Sequence, residues 1–288
     1  MKPQRILVTG ADGQIGYELV RLLAAHGELH ATRRADLDLA DADAVAKAVR
    51  ATRPTLIVNA AAYTAVDRAE DEPELAHQVN AQAPGVMAEE ARRQGAVLVH
   101  FSTDYVFDGT AGAPYTEDAP VAPLNVYGAS KLAGETAIRQ TGAAALIFRT
   151  SWVYGVRGSN FLLTIRRLAR ERDELRIVAD QTGVPNWAAT LASAVERIVA
   201  MGPAASAERA GLYHLSCNGS ASWYDFARAI VGDRPAPRVV PITTAEYPRP
   251  ARRPAYAVLD TARFTRVFGF ALPPWREDLE RCLAALPD

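Results

Sequence analysis

The chain has 288 residues, of which 49% are hydrophobic and 23% are charged, as expected for a globular protein with a sizeable core. Its 32 basic and 33 acidic residues nearly cancel, so neither a nucleic-acid partner nor an anionic membrane surface is expected. Cys217 and Cys282 are too few for a disulfide framework or a metal cage. The sequence has neither a signal-peptide pattern nor an apolar run that could span a bilayer, which predicts a cytoplasmic protein.

Strand and helix patterns alternate through the first half of the chain. Strands that are apolar on both faces, separated by helices, predict a parallel sheet covered on both sides. We therefore expect an α/β fold with a Rossmann-type doubly wound parallel sheet. The predicted strands are 5–9, 29–32, 56–59, 96–101 and 146–150, and the predicted helices are 15–23, 41–50, 73–95 and 127–140.

The pattern loosens after residue 150, where short strands and segments rich in proline and arginine separate the helices. This composition predicts a smaller lobe of helices and irregular segments. We expect a main domain over 1–150 and this lobe over 151–288, with a soft boundary and some segments that return to the main domain. The predicted helices of this half are 161–172, 188–201, 222–231 and 277–285.

Three glycines, Gly10, Gly13 and Gly16, follow the first strand and open the first helix. Glycines at this place permit a tight turn and let the backbone approach a diphosphate, whose charge the helix N-terminus favours. A glycine turn with no ligand is the alternative. The strand–turn–helix context favours a dinucleotide site.

The end of the second strand bears on which dinucleotide binds. An acid there would hold a ribose 2′-hydroxyl, whereas an arginine accommodates a 2′-phosphate. Arg33 and Arg34 occupy this place, so NADPH is the predicted cofactor and NADH the alternative. Both arginines could instead be solvated surface charges. Asp38 follows closely and could lie near the adenine, and the alanines at 60–62 would leave room for a cofactor or simply pack tightly.

Tyr127 and Lys131 are four residues apart on a predicted helix, which places them on one face, one turn apart. A nearby ammonium lowers the pKa of a phenol and makes it a proton donor that works near neutral pH. The spacing alone is common, but here it opens the helix between the fourth and fifth strands. Thr103, at the exit of the fourth strand, could bind a carbonyl oxygen while Tyr127 protonates it. A hydroxyl-rich strand exit without function is the alternative.

Five stretches carry a resemblance to a known family: TGADGQIG, NAAAYTAVD, FSTDYVFDG, PLNVYGASKLAGE and FRTSWVYG. Together they resemble the extended short-chain dehydrogenase/reductase family, from about Ile6 to the C-terminal helix. The resemblance implies that 1–150 is an NAD(P)-binding Rossmann-type domain and that 151–288 is mainly a substrate-binding lobe. It also implies an NAD(P)H-dependent oxidoreductase that reduces the C4 ketone of dTDP-4-dehydro-L-rhamnose to dTDP-L-rhamnose. The product would serve cell-surface polysaccharide biosynthesis.

The same resemblance implies roles for individual residues. Tyr127 would be the proton donor, Lys131 would bind the nicotinamide ribose and tune the tyrosine, and Thr103 would steady the developing alkoxide. Asp104 and Trp152 match positions that contact the sugar. Cofactor contacts are implied for Gly13, Gln14, Ile15, Asp38, Leu39, Ala62, Tyr63 and Thr64.

The C-terminal segment contains Arg249, Arg252 and Arg253, whose charge suits a diphosphate, although ordinary surface charge would explain them equally well. Some family members bind magnesium at a dimer interface through glutamates. Glu18 could match one of these, but no acid lies near Thr190 in the following helix. We therefore assign no residue to a metal, magnesium stays open, and the oligomeric state stays open between monomer and homodimer.

Sister activities of the family differ at the fourth strand. Dehydratases carry Asp-Glu after the threonine, whereas Asp104 and Tyr105 stand here, so the elimination group is missing. Epimerases tend to have serines at this strand end. The remaining alternatives are a reductase or epimerase for another nucleotide sugar and a non-catalytic subunit, since a regulatory subunit of methionine adenosyltransferase also resembles this fold.

Overall fold

A computed structural model describes residues 4–232 and 236–286, so residues 1–3, 233–235 and 287–288 of the predicted domains lie outside the described part. The strands are β1 Gln4–Thr9, β2 Gly27–Thr32, β3 Leu56–Asn59, β4 Val97–Thr103, β5 Ala145–Thr150, β6 Val153–Tyr154, β7 Glu174–Val178, β8 Thr182–Gly183, β9 Asn186–Trp187, β10 Gly211–His214, β11 Ala221–Ser222 and β12 Arg238–Ile242. The α-helices are α1 Gln14–Leu23, α2 Ala42–Thr52, α3 Val66–Ala69, α4 Pro73–His77, α5 Ala83–Gln94, α6 Val126–Thr141, α7 Phe161–Glu171, α8 Ala188–Val199, α9 Pro203–Glu208, α10 Trp223–Val231, α11 Ala262–Phe268 and α12 Trp275–Ala284.

The main sheet has six parallel strands in the order β10-β5-β4-β3-β1-β2. Helices cover both faces, so consecutive residues of the central strands are buried: Ile6, Leu7 and Val8 are each 0% exposed. The predicted α/β fold with a Rossmann-type parallel sheet is confirmed. The strand order reverses at β1, and the crevice outside the carboxyl ends of the strands there is where ligands bind in such sheets.

The chain returns to this sheet after residue 150. Strand β10 pairs in parallel with β5, and α8 packs against α1, where Leu191 and Val195 join Leu19 and Leu23 in one buried cluster. Short strand pairs organise the rest: β12 with β7, β11 with β8 and β6 with β9. The second half of the chain thus contributes to the core of the first. The division into two domains at residue 150 stays a prediction.

A π-helical turn interrupts the long helix predicted for 73–95. It spans Gln78–Gln82 between α4 and α5, and Gly95, with φ of 65°, ends the helix. The turn holds Asn80, which accepts a hydrogen bond from Tyr63 N at 2.8 Å and donates to Ser130 Oγ at 3.0 Å. The loop after β3 is thereby fixed to α6, and such turns often occur at functional sites.

Candidate active site

A cavity of about 500 Å³ opens at the carboxyl ends of β1, β2, β3 and β4 and reaches α6. A cavity of this size is in the range of small-molecule and cofactor sites. It brings together residues that are far apart in the sequence. The predicted site residues in its lining are Gly10, Gly13, Gln14, Ile15, Arg33, Arg34, Asp38, Leu39, Ala62, Tyr63, Thr64, Tyr127 and Lys131.

Two of the three glycines, Gly10 and Gly16, stand where a side chain would collide with neighbouring backbone. The bare backbone of this loop could therefore come close to a dinucleotide diphosphate. A Cβ on Gly10, whose φ is +74°, would lie 2.7 Å from Ala61 Cα. Gly13 is the N-cap residue of α1, so no side chain competes for the first N–H groups of the helix. Gly16 lies outside the cavity lining, where a Cβ would come 2.0 Å from Gly10 O. The missing side chain of Gly16 therefore allows α1 to pack closely against the end of β1.

The outer end of the cavity carries the charges that follow β2. Arg33 and Arg34 both line it, together with Asp12 of the glycine loop. Arg33 Nε lies 3.2 Å from Asp12 Oδ1, and the two side chains are 65% and 68% exposed. Asp38 lies beside them and accepts a hydrogen bond from Ala40 N at 3.0 Å. Both arginines therefore border the cavity. Arg33 also forms an ion pair with Asp12, a residue that the sequence analysis did not consider.

Helix α6 brings Tyr127 to the inner end of the cavity. Asn125 caps the helix by accepting from Gly128 N at 2.8 Å, and a Cβ on Gly128 would lie 2.2 Å from Tyr105 O. This close approach sets the Tyr127 ring edge-on against Tyr105, with ring centroids 5.8 Å apart. Burial raises the pKa of Tyr127 to about 12, while the neighbouring Thr103 hydroxyl lowers it by hydrogen bonding.

Lys131 lies one turn further along α6 and is only 2% exposed. Its Nζ donates to Phe101 O at 2.6 Å and lies 3.2 Å from His100 Nε2. Burial lowers the pKa of Lys131 to about 8, against the opposing charge of Glu135. Tyr127 and Lys131 thus line one wall of the same cavity, as the spacing predicted. The expected lowering of the pKa of Tyr127 is not found, because burial outweighs the neighbouring groups.

A fully buried ion pair supports this wall from behind. Arg149 on β5 binds Glu135 on α6 through Nε at 2.8 Å and Nη2 at 2.7 Å, and Ser102 Oγ donates to the same carboxylate at 2.6 Å. The Glu135 and Arg149 side chains are 0% and 2% exposed. The sequence analysis missed this pair, although an arginine inside an apolar strand and a glutamate four residues after Lys131 are visible signals.

Thr103 and Asp104 lie just outside the cavity lining, at the end of β4. Thr103 Oγ1 donates to Asp104 Oδ1 at 2.9 Å, and Tyr105 N donates to Thr103 Oγ1 at 3.2 Å. Burial raises the pKa of Asp104 to about 7, with hydrogen bonds from Thr103 and the backbone opposing the rise. Thr103 is a neighbour of Tyr127, but its hydroxyl hydrogen is directed to Asp104 and Ser102 lines the cavity in its place. The role of Thr103 therefore stays a prediction.

Trp152 is held between two neighbours on the side of the second half of the chain. Its ring stacks on Trp223 with centroids 3.5 Å apart and planes 9° apart, and a Cβ on Gly183 would lie 2.6 Å from the same ring. Trp152 also has a positive φ of 42°, which is unusual for a bulky residue. Trp223, which the sequence analysis did not single out, is fixed by donating Nε1–H to Gln181 Oε1 at 3.2 Å.

Two of the three C-terminal arginines converge on one carboxylate. Asp67 of α3 accepts from Arg249 Nη2 at 2.5 Å and from Arg253 Nη1 at 3.0 Å. Burial works against the charge of Asp67, but the hydrogen bonds from Arg253 and Arg249 lower its pKa overall. Arg252 instead offers its carbonyl, which accepts from Asn125 Nδ2 at 2.7 Å. The segment is thereby bound to α3 and to the cap of α6.

Glu18 and Thr190, the positions considered for magnesium, each have a partner within the chain. No group of three or more His, Cys, Asp or Glu residues in 4–232 and 236–286 could hold a metal ion. Glu18 pairs with Arg21 at 2.9 Å, and Thr190 donates to Asp278 Oδ1 at 2.5 Å. Within the same ranges no helix is both long and apolar enough to cross a membrane.

With this geometry established, comparison with known proteins identifies the family. The sequence profile of the family described as RmlD substrate binding domain matches residues 4–287. The chain belongs to this family. The resemblance to extended short-chain dehydrogenases/reductases is thereby confirmed and narrowed to RmlD proteins.

Relatives in the RmlD family match over nearly their whole length. The dTDP-4-dehydrorhamnose reductase of Burkholderia thailandensis is 47% identical, with 98% of this chain and 99% of that protein covered. The reductase of the same name from Escherichia coli is 43% identical, with 98% and 97% covered. The crystal structure of dTDP-4-dehydrorhamnose reductase from Bacillus anthracis in complex with NADP superposes with a TM-score of 0.91 at 38% identity, covering 98% and 99%.

Proposed function

We propose that this protein reduces the C4 ketone of dTDP-4-dehydro-L-rhamnose to give dTDP-L-rhamnose, with NADPH as the preferred hydride donor. One observation carries the proposal most directly: Tyr127 and Lys131 border the same cavity as the glycine loop. Comparison with known proteins also supports the proposal. RmlD relatives more than 40% identical bear the name of this reductase, and a similar crystal structure contains NADP.

In the proposed reaction the bound nicotinamide dinucleotide supplies the hydride. The substrate carbonyl oxygen would lie between Thr103 and Tyr127, whose hydroxyl groups are neighbours at the inner end of the cavity. Thr103 Oγ1 would turn its single hydrogen from Asp104 Oδ1 to this oxygen and donate to it as negative charge develops. Tyr127 would give its proton to that oxygen, so that the product leaves as an alcohol.

Lys131 would support the proton transfer electrostatically. In its ammonium form it favours the tyrosinate that remains after Tyr127 has given up its proton. Its carbonyl partner, Phe101 O, is a backbone atom of β4, so the position of Nζ is tied to the sheet. The fixed position means that little reorganisation is needed during the reaction.

NADPH preference rests on the arginines after β2. A 2′-phosphate at the outer end of the cavity would meet the guanidinium groups of Arg33 and Arg34, which suit phosphate oxygens. Asp12 works in the opposite direction, because its carboxylate already pairs with Arg33 and would repel the phosphate. We therefore expect a preference for NADPH with measurable use of NADH.

The sugar and diphosphate would extend from Tyr127 towards the second half of the chain. Asp104 and Trp152 are the proposed sugar contacts, and Arg253 is the proposed diphosphate contact with Arg249 beside it. Asp67 neutralises part of the charge of both arginines. A bound diphosphate would therefore compete with Asp67 for them, and that competition limits what these arginines add to affinity.

The deciding experiment follows the absorbance of reduced nicotinamide after the protein is mixed with dTDP-4-dehydro-L-rhamnose. We expect loss of absorbance with NADPH and a slower loss with NADH. Folded protein that binds NADPH but leaves its absorbance unchanged would contradict the proposal. A panel of other 4-keto nucleotide sugars would then test whether the protein reduces a different substrate. A partner that co-purifies without turnover would favour a regulatory subunit.

A further inference from the structure

A row of polar side chains crosses the apolar sheet directly behind the cavity. Thr9, Asn59 and His100 are register partners on β1, β3 and β4. Thr9 Oγ1 donates to Asn59 Oδ1 at 2.7 Å, and Asn59 Nδ2 lies 3.0 Å from His100 Nδ1. His100 Nε2 in turn lies 3.2 Å from Lys131 Nζ. The row therefore ends on the lysine that the proposed reaction needs.

One backbone group fixes the direction of the hydrogen bonds in this row. Ala61 N–H donates to Asn59 Oδ1 at 3.2 Å, and a backbone N–H can only donate. The amide oxygen of Asn59 must therefore face Ala61, and its NH₂ group must face His100. As a result His100 Nδ1 is an acceptor, and neutral His100 carries its proton on Nε2.

This tautomer conflicts with a charged lysine. The N–H of His100 Nε2 points to Lys131 Nζ, and an ammonium group has donors but no acceptor. The amine form of Lys131 has a lone pair that can accept this hydrogen bond, while it still donates to Phe101 O. We propose that His100 is a positioning residue that, through its Nε2–H tautomer, favours the neutral form of Lys131. This inference rests on the role of Lys131 in the proposed function.

The charges that face Lys131 from the packed elements act in both directions. Glu135, on the same helix, favours the ammonium, but its carboxylate is already bound by Arg149 of β5 and by Ser102 of β4. Tyr127 is protonated at neutral pH because burial raises its pKa to about 12. His100 stays neutral, since burial and the charge of Lys131 hold its pKa well below the usual range.

The consequence for catalysis is a defined pH limit. Burial lowers the pKa of Lys131 to about 8, and the proposed hydrogen bond from His100 acts in the same direction. Below this pH the ammonium supports the tyrosinate left by proton transfer; above it that support is lost. Turnover should therefore fall on the alkaline side of pH 8 because Lys131 loses its proton, well before Tyr127 does.

The lysine content makes a direct test possible without substrate or turnover. The chain has three lysines, Lys2, Lys47 and Lys131, so protein labelled with ¹³C at the lysine ε-carbon gives three NMR signals to titrate. Lys131→Met assigns the signal of interest. We expect Lys131 to titrate about 2 pH units below the ordinary lysine value of about 10.4. The ¹⁵N shifts of His100 should report a proton on Nε2 throughout.

Two variants reverse the hydrogen-bond pattern, and a third is their control. His100→Gln can present a carbonyl oxygen to Lys131. Asn59→Asp accepts from both Ala61 N and His100, and so moves the imidazole proton to Nδ1. Each should raise the pKa of Lys131 by about one pH unit and shift the alkaline limit of kcat with it. The control His100→Asn keeps an acceptor for Asn59, but its shorter side chain does not reach Lys131. It should therefore raise the pKa of Lys131 less than the other two variants do.

The outcomes separate this inference from the proposed function. Titration of Lys131 at the ordinary lysine value of about 10.4, a proton on His100 Nδ1, or an unchanged pKa of Lys131 in folded His100→Gln and Asn59→Asp proteins would each overturn it. Thermal unfolding and NADPH titration establish that the variants fold. If the lysine shifts as expected but no substrate turns over, the inference stands and the proposed reaction fails.

Discussion

The two ends of the cavity differ in how their charges are held. At the inner end Lys131, Glu135 and Arg149 are at most 2% exposed, and each has partners on the neighbouring elements. At the outer end Arg33 and Asp12 form a pair that is about two-thirds exposed. Solvent screens the outer pair, while the inner groups have little water to compensate a lost partner. Chemistry and stability should therefore depend on the inner end, and cofactor preference on small differences at the outer end.

The largest expected effect comes from removing the proton donor at the inner end. Tyr127→Phe should lower kcat by about 10²–10⁴-fold, because a positioned general acid contributes on that scale. NADPH binding, followed by fluorescence titration, should change little since the ring is kept. Wild-type turnover in this variant would show that another group supplies the proton.

Breaking the buried ion pair should be the next largest effect. Glu135→Gln leaves Arg149 charged and buried, and we expect the free energy of unfolding to fall by about 3–5 kcal/mol. Chemical denaturation followed by circular dichroism measures it. Glu171→Gln is the matched control, because Glu171 pairs with Arg167 on the exposed face of α7. Equal stability changes in the two variants would mean that burial does not distinguish the pairs.

At the outer end, Arg33→Asp should reverse the cofactor preference. The substitution replaces a phosphate-binding group by one that can accept from a ribose 2′-hydroxyl, so the ratio of kcat/KM for NADPH to that for NADH should fall by about 10–100-fold. Arg21→Asp, on α1 outside the cavity lining, is the charge-matched control. An unchanged ratio in Arg33→Asp would exclude contact between Arg33 and the 2′-phosphate.

The smallest expected effect tests Asp12. Asp12→Asn removes the carboxylate that shares Arg33, so kcat/KM with NADPH should rise by about two- to five-fold while that with NADH stays nearly constant. The gain should shrink at high ionic strength because the pair is exposed. A change of equal size with both cofactors would point to the shape of the glycine loop instead of its charge.

The sequence predicted the parts of the site that follow local rules. Gly10, Gly13 and the Tyr127–Lys131 spacing obey turn and helix geometry, so their place at the cavity could be predicted. The strands were predicted to within a few residues, although β4 continues through Thr103 and β10 was missed. β10 is a short run whose pairing with β5 no local pattern reveals.

The missed residues depend on contacts between distant segments. Asn59 and His100 are polar residues in apolar strands, which signals something unusual, but their pairing follows from the register of β3 on β4. The link between Glu135 and Arg149 likewise requires α6 to lie over β5. Asp12 and Trp223 gain their roles only from the neighbours that tertiary structure gives them.

The stack of Trp152 on Trp223 also gives the protein a built-in optical signal. Two indole rings with centroids 3.5 Å apart and planes nearly parallel couple their electronic transitions, so their absorption and circular dichroism depend on how the two rings are placed relative to each other. The chain has four tryptophans, and among the described residues this is the only contact between two tryptophan rings. A ligand that moves either ring would change this signal, so occupancy of the proposed sugar side could be followed in unlabelled protein.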